Sequence, residues 1–136
     1  MVMGEAVIVA GLGSRSGVAH ADVLAAVDAA LTAHGLGRDR LDGLATAALK
    51  RDEPAFAAAS AKLGLELVIV NEAALKEASD RTLTRSALSA SAAGTPSVSE
   101  AAALAAAGPD SYLLGPRVVV GPVTCAIAVR TGGGDE

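Results

Sequence analysis

The chain of 136 residues contains one tyrosine, one phenylalanine and no tryptophan. With only Phe56 and Tyr112 as aromatics, it offers no stacking platform for single-stranded bases. A flat ligand would have to be held by aliphatic walls and polar edges. Cysteine is equally scarce. Cys125 stands alone, so no intrachain disulfide can form, and this fits a reducing compartment. Positive charge is in deficit: 11 Lys and Arg stand against 15 Asp and Glu, for a net charge of −4. That balance argues against a nucleic-acid partner, which would want a basic face. No apolar run reaches membrane-spanning length. The stretch from Ser111 to Val129 is broken by Gly115, Pro116, Arg117, Gly121 and Pro122. No basic segment followed by a long apolar core opens the chain, so no signal peptide is expected. The expectation is a cytoplasmic protein without a membrane partner.

What remains is long enough for one domain that buries a useful core without covalent staples. Half of the residues are hydrophobic (51%), and much of that is alanine. Alanine buries little area, so cohesion depends on Val, Leu and Ile and on close packing of the elements. The domain is expected over residues 1–131, and Gly132-Gly133-Gly134-Asp135-Glu136 reads as a loose polar tail.

Apolar runs alternate with helical patterns. Ala6 to Ala10 reads as a first strand and Val18 to Ala33 as a helix, its buried stripe marked by Val23, Val27, Ala30 and Leu31. His34-Gly35 supplies the stop. Leu41 to Ala47 is a second strand. Asp52-Glu53-Pro54 opens a helix with Phe56, Ala59 and Leu63 on its inner face, ended by Gly64. Leu65 to Val70 is a third strand, and Asn71 caps a short helix to Ala78. Asp80 to Thr95 is weakly patterned and reads as a mobile connector. Ser97-Val98-Ser99-Glu100 matches a capping box for a helix that runs to Ala107. Tyr112 to Leu114 and Val123 to Val129 are the last strands, with Arg117 in a loop or a further extended piece between them. The fold class is therefore α/β: a three-layer α/β/α single domain around a mixed, mostly parallel sheet of about five strands, the last pair antiparallel.

The richest candidate for a site is Gly11-Leu12-Gly13-Ser14-Arg15-Ser16-Gly17, between the first strand and the first helix. Amides at a helix start, the positive end of the helix dipole and Arg15 together suit an anion. The glycine spacing is neither the dinucleotide fingerprint nor a Walker A loop. A tight turn with glycines for geometry alone is the competing account. Thr46 and Lys50 follow the second strand and open on the same sheet edge. Arg51, Asp52 and Glu53 there read as a solvated loop with a capped helix. Capping accounts for Ser97 and Glu100. Arg117 is either a strand-edge charge or a ligand clamp. Cys125 reads as a buried small hydrophobe. His20 and His34 sit at opposite ends of one helix. No Ser-His-Asp order, metal-ligand spacing or carboxylate pair emerges, so no catalytic residue, metal ligand or cofactor is predicted.

At this point a family resemblance enters. Gly11-Leu12-Gly13-Ser14-Arg15-Ser16-Gly17 resembles the opening motif of the CobE / CbiG C-terminal domain family of cobalamin (vitamin B12) biosynthesis. The segments from Leu44 to Pro54 and from Gly94 to Leu104 resemble its second and third blocks. Arg117 with Val123-Thr124-Cys125-Ala126-Ile127-Ala128 resembles its closing block. Four blocks in order cover nearly the whole chain. The chain departs from the pattern at Ser14, where cysteine is common, and at Ser16, where a second arginine is common. Arg117 replaces a frequent lysine, which keeps the charge and changes its geometry.

The resemblance implies a role in building the corrin ring, with a precorrin or other corrinoid intermediate as partner. Precorrins carry acetate and propionate carboxylates around an apolar macrocycle. Gly11, Gly13, Ser14, Arg15, Gly17, Thr46, Lys50, Ser97, Arg117 and Thr124 are the residues expected to line a cationic cleft for it. Two alternatives stay open. One is a hydrolase that opens a precorrin lactone, with Ser14 or Thr124 as nucleophile and no visible base. The other is a docking module for a pathway methyltransferase.

Overall fold

A computed structural model describes residues 6–14, 17–48, 53–82 and 98–131 of the chain. Arg15, Ser16, Lys50, Arg51, Asp52, Ser97, most of the connector and the polar tail lie outside the described residues. In chain order the elements are β1 (Ala6–Ser14), α1 (His20–Ala33), β2 (Gly43–Ala47), α2 (Pro54–Leu63), β3 (Leu67–Val70), α3 (Glu72–Ala78), α4 (Val98–Ala107), β4 (Tyr112–Leu113), β5 (Val118–Val120) and β6 (Val123–Thr131). The strand order is β3-β2-β1-β6-β4, and β5 also pairs with β6. β3, β2 and β1 run parallel, and β6 is antiparallel to β1, β4 and β5. The sheet has six strands rather than about five. The sixth is β5: three β-branched valines pair with β6 across a turn at Gly121, whose φ is 58°.

Helices cover both faces, which makes three layers. On one face α1 and α2 pack Val23, Val27, Leu31, Phe56 and Ala59 against Ile8, Leu12, Leu44 and Ile127. On the other, α3 and α4 pack Leu75 and Leu104 with a group of alanines against Val9, Ala45, Val70 and Ala128. The two-residue strand period fixes the division: even-numbered residues of β1 face α1, and odd-numbered ones face α4.

The helix boundaries follow local chemistry. Gly35 and Gly64 take left-handed φ values of 70° and 69°. In each case the next amide reaches back five residues, Leu36 to Leu31 and Leu65 to Ser60. The bond from Leu65 delays β3 to Leu67, two residues after the expected start. Asn71 Oδ1 accepts the Ala74 amide at 2.8 Å and caps α3. The connector begins as a one-turn 3-10 helix, Ser79–Arg81, and Arg81 is tethered. Its guanidinium donates to the carbonyls of Ser111 (2.8 Å) and Pro109 (3.3 Å), just beyond the end of α4.

The main departure from the expected layout is the length of β1. It continues through Gly11 and Gly13 to Ser14, pairing Gly11 with both Ala45 and Ala126, and Gly13 with Thr124. These two glycines therefore belong to the strand and not to the turn; Gly17, with φ 81°, is the turn glycine. The reason is α4. A methyl group on Gly11 would lie 2.0 Å from the Ser99 carbonyl oxygen and 2.6 Å from the Ala103 amide nitrogen. An alanine-rich helix offers little side-chain area, so it gains cohesion by bringing its backbone close to the sheet.

Two outcomes test this packing. Gly11→Ala should lower stability by about 3 kcal/mol, because overpacking here strikes backbone rather than a movable side chain. Gly17→Ala meets open space, so only its positive φ opposes it, at about 1–2 kcal/mol. Urea denaturation of both variants should rank them in that order, and equal shifts would contradict the close approach. Cys125 is fully buried, and burial pushes its thiol up to about 12. A thiol reagent at mildly alkaline pH should therefore modify the unfolded chain and spare the native one; rapid native labelling would contradict the burial.

Candidate functional site

The parallel strands β1, β2 and β3 end on one edge of the sheet, at Ser14, Ala47 and Val70. In α/β sheets this is the edge that ligands favour. The antiparallel β6 begins there at Val123, paired with Val120 at the end of β5, and α4 starts there at Val98. The turns at this edge are tied to one another by hydrogen bonds.

The first tie is Glu53. It occupies the cap position of α2, yet its side chain does not cap that helix. Its Oε2 accepts the Gly17 amide at 3.1 Å, joining the turn after β2 to the turn after β1. Glu53 is buried, which corrects its reading as part of a solvated loop. An amide near the start of α1 is thus already matched to a carboxylate of the protein.

The second tie is Glu100, in the first turn of α4. It is fully buried, and its Oε2 accepts the Arg117 amide at 2.8 Å. Capping alone does not describe it: the carboxylate fixes the loop that carries Arg117. Arg117 itself is half-buried. Among the described residues its guanidinium makes no ion pair.

Between these ties lies Gly13. Thr124 Oγ1 donates to its carbonyl at 3.3 Å. A methyl on Gly13 would sit 2.9 Å from that hydroxyl oxygen, and 3.8 Å and 3.9 Å from the amide nitrogen and Cβ of Ser99. Ser99 is 1% exposed, and its hydroxyl has no hydrogen-bond partner. Buried hydroxyls are normally satisfied, so this one stands out.

The edge therefore brings together Gly13, Ser14 and Thr124 from the expected set, with Gly17 joined to it through Glu53; Arg117 precedes the Val118–Cys125 pair, at the end of β5 away from Val123, and is tied to the first turn of α4 through Glu100, while Gly11 is closed over by the Ser99 carbonyl and Ala103. Arg15, Lys50 and Ser97 lie outside the described residues. Thr46 is set apart from the cleft. It is fully buried on the opposite face of the sheet, in alternation with Ala45 and Ala47, and its hydroxyl donates to the Leu12 carbonyl at 2.9 Å. It pins β2 to β1. Sequence reasoning passed over Ser99. The available signal was a serine in register with Ala102, Ala103 and Ala106 on a helix of alanines, a polar atom on a face that had to be buried.

Among the described residues no group of three His, Cys, Asp or Glu gathers in one place. The chemistry available at the edge is that of hydroxyls, helix-start amides and one guanidinium, which are donors for acceptor oxygens. A separate hollow of about 360 Å³ lies at the far end of α4, between Ala74, Glu77, Arg81, Gly108 and Pro109. Its arginine is engaged by the carbonyls beyond α4, so we read that hollow as part of the helix terminus and not as the site.

This α/β/α architecture, with a glycine-floored edge at the start of a buried helix, has known counterparts. The family described as Cobalamin synthesis G C-terminus matches residues 8–128. The chain belongs to this CobE / CbiG C-terminal family. It is similar to the crystal structure of CobE, a protein from the cobalamin biosynthetic pathway, at 31% identity over 96% of both chains with a TM-score of 0.89. It is also similar to the cobalamin biosynthesis protein chiG from Agrobacterium tumefaciens, at 48% identity over 93% of this chain and 99% of that one, with a TM-score of 0.73. No curated protein matches.

The two carboxylate ties carry a prediction. Glu100→Ala should destabilise by about 2–3 kcal/mol, since it strands the Arg117 amide, whereas Glu53→Ala should cost about 1–2 kcal/mol at the more open turn. In hydrogen exchange, the Arg117 amide should lose protection in the first variant and the Gly17 amide in the second. Unchanged exchange at both would mean that these carboxylates do not hold the turns.

Proposed function

We propose that this chain acts in cobalamin biosynthesis by binding a precorrin or other corrinoid intermediate at the edge formed by β1, β6 and α4. One observation supports the reading: glycine backbone and the start of α4 meet at one edge, and Glu100 in that first turn holds the loop that carries Arg117. A macrocycle fringed with acetate and propionate groups presents the acceptor oxygens that such donors match. Gly13 lets a ligand group approach the backbone, and Arg117 supplies charge. Arg15, Lys50 and Ser97 join this proposal from their places in the sequence. Family membership supports it, as do the pathway names carried by the two similar structures.

Affinity would come from a few charge-assisted contacts of about 1–3 kcal/mol each, less the cost of association. Binding is favoured over chemistry on the residues themselves. Thr124 gives its hydroxyl proton to the Gly13 carbonyl and not to a base. The Cys125 thiol is buried and stays protonated. No helix among the described residues is long and apolar enough to cross a membrane, and we place this binding in the cytoplasm.

Absorbance titration with cobyrinic acid, a corrin that carries free acetate and propionate groups, tests the proposal. The wild-type chain should shift the pigment's bands saturably. Arg15→Ala and Arg117→Ala should each weaken binding about tenfold, the loss of one charge-assisted contact, with the melting temperature unchanged. Absence of any spectral response would overturn the proposal. Turnover of a precorrin lactone by the isolated chain would replace binding with hydrolysis, and pigment-free co-elution with a pathway methyltransferase, without any spectral response, would replace it with docking.

A further inference from the structure

We infer that Val119 is the apolar contact of this edge: with Thr124 it forms a ledge beside the first turn of α4, on which one face of the macrocycle rests while Arg117 meets the carboxylate fringe. The inference deepens the corrinoid-binding reading and rests on it. It names the side chain that meets the ring.

Three large hydrophobic residues are exposed among the described residues: Ile69 at 38%, Tyr112 at 50% and Val119 at 61%. Ile69 lies on the edge strand β3, and Tyr112 pairs with Val129 towards the far end of β6. Val119 pairs with Thr124, which pairs in turn with Gly13. Residues paired across strands share a face, so the three form one row over β1, β6 and β5. The row emerges from under α4: Gly13 is buried, Thr124 half-buried and Val119 exposed. The fold explains this gradient. Val118 and Val120 pack on the face covered by α1, and Val119 between them faces the other way. On that side α4 packs over β1, β2 and β6, whereas the main contacts of β5 are with β6 and α1. The first turn of α4 stops over Gly13, with the Ser99 amide nitrogen 3.8 Å from where a methyl there would stand. Thr124 donates its hydroxyl to the Gly13 carbonyl at 3.3 Å, so its methyl is the end without a hydrogen-bond role.

Charge beside the ledge decides the class of occupant. A lone exposed valine is ordinary on a protein surface, and threonine would form the strand as well. This valine has a cation two residues before it. Glu100 ties the Arg117 amide to the first turn of α4, and the guanidinium makes no ion pair among the described residues. An apolar ledge next to a fixed arginine is the complement of a ring with a carboxylate fringe. The ring sheds water against Val119, and a fringe carboxylate meets Arg117. A wholly polar anion gains nothing from the ledge, and a neutral apolar molecule gains nothing from the arginine.

Absorbance titration of the full chain with cobyrinic acid and with its fully methylated ester tests the ledge. Val119→Thr keeps the β-branch and the size at an exposed strand position, so its melting temperature should match the wild type. It should weaken both compounds about tenfold, because the ring is common to them and a hydroxyl replaces a methyl against it. Val119→Ile, which keeps the branch apolar, should recover wild-type affinity for both. Arg117→Ala should weaken the acid and spare the ester. Unchanged affinity in Val119→Thr, with the wild type binding the acid, would overturn the ledge and leave the corrinoid reading standing. A loss confined to the acid, an equal loss in Val119→Ile, or wild-type binding of the acid with none of the ester would overturn it too. If the wild type binds neither compound, the corrinoid reading fails and the ledge falls with it. Sedimentation of the pigment-free chain covers the other occupant: a wild-type dimer that Val119→Thr converts to monomer would seat a second copy on the ledge and overturn the inference.

Discussion

The close seat of α4 on β1 is the constraint from which the rest follows. A helix in which six of ten residues are alanine has little side-chain area to hold its place, so it lies against Gly11, with no room for a methyl between the Ser99 carbonyl and the strand. Gly11, Ala45, Ala126 and Ala128 give the sheet a flat surface there. The consequence is positional. The first turn of α4 is delivered to the end of β1 and the start of β6, so that the Ser99 amide and Thr124 Oγ1 both lie within 4 Å of where a Gly13 methyl would stand.

Carboxylates then fix what the helix delivers. Glu100 and Glu53 are both buried, and each accepts a backbone amide from a different loop. A net-acidic chain that handles a carboxylate-rich ligand looks contradictory at first. The contradiction eases because two of its acidic groups at this edge face inward, where they order the turns, while Arg117 retains a guanidinium without an ion pair among the described residues. Hydrogen bonds between a carboxylate and a buried amide are among the stronger contacts a small domain can make. They hold loops that an alanine-rich core would otherwise leave loosely anchored.

Much of this was legible in the sequence, and the unread parts share a cause. The alternation of strands and helices, the glycine stops at Gly35 and Gly64, the Asn71 cap and the burial of Cys125 are local or compositional signals, and each appears in the structure. The length of β1 was not legible. Gly11 and Gly13 have the local signature of a turn, and only the arrival of a helix from nearly ninety residues further along the chain explains them as strand residues. The same holds for Glu53 and Glu100. Each sits at a helix start, where capping is the economical local explanation, and each accepts an amide from a loop distant in sequence. Thr46 shows the converse: its place after the second strand suggested the cleft, and the two-residue strand period turned it to the other face.

A crystal structure of the chain with cobyrinic acid bound tests the central claim most directly. The account predicts the pigment seated at the edge formed by β1, β6 and α4, with one of its carboxylates near Arg117. Pigment seated in the hollow beside Arg81 at the far end of α4 would contradict it.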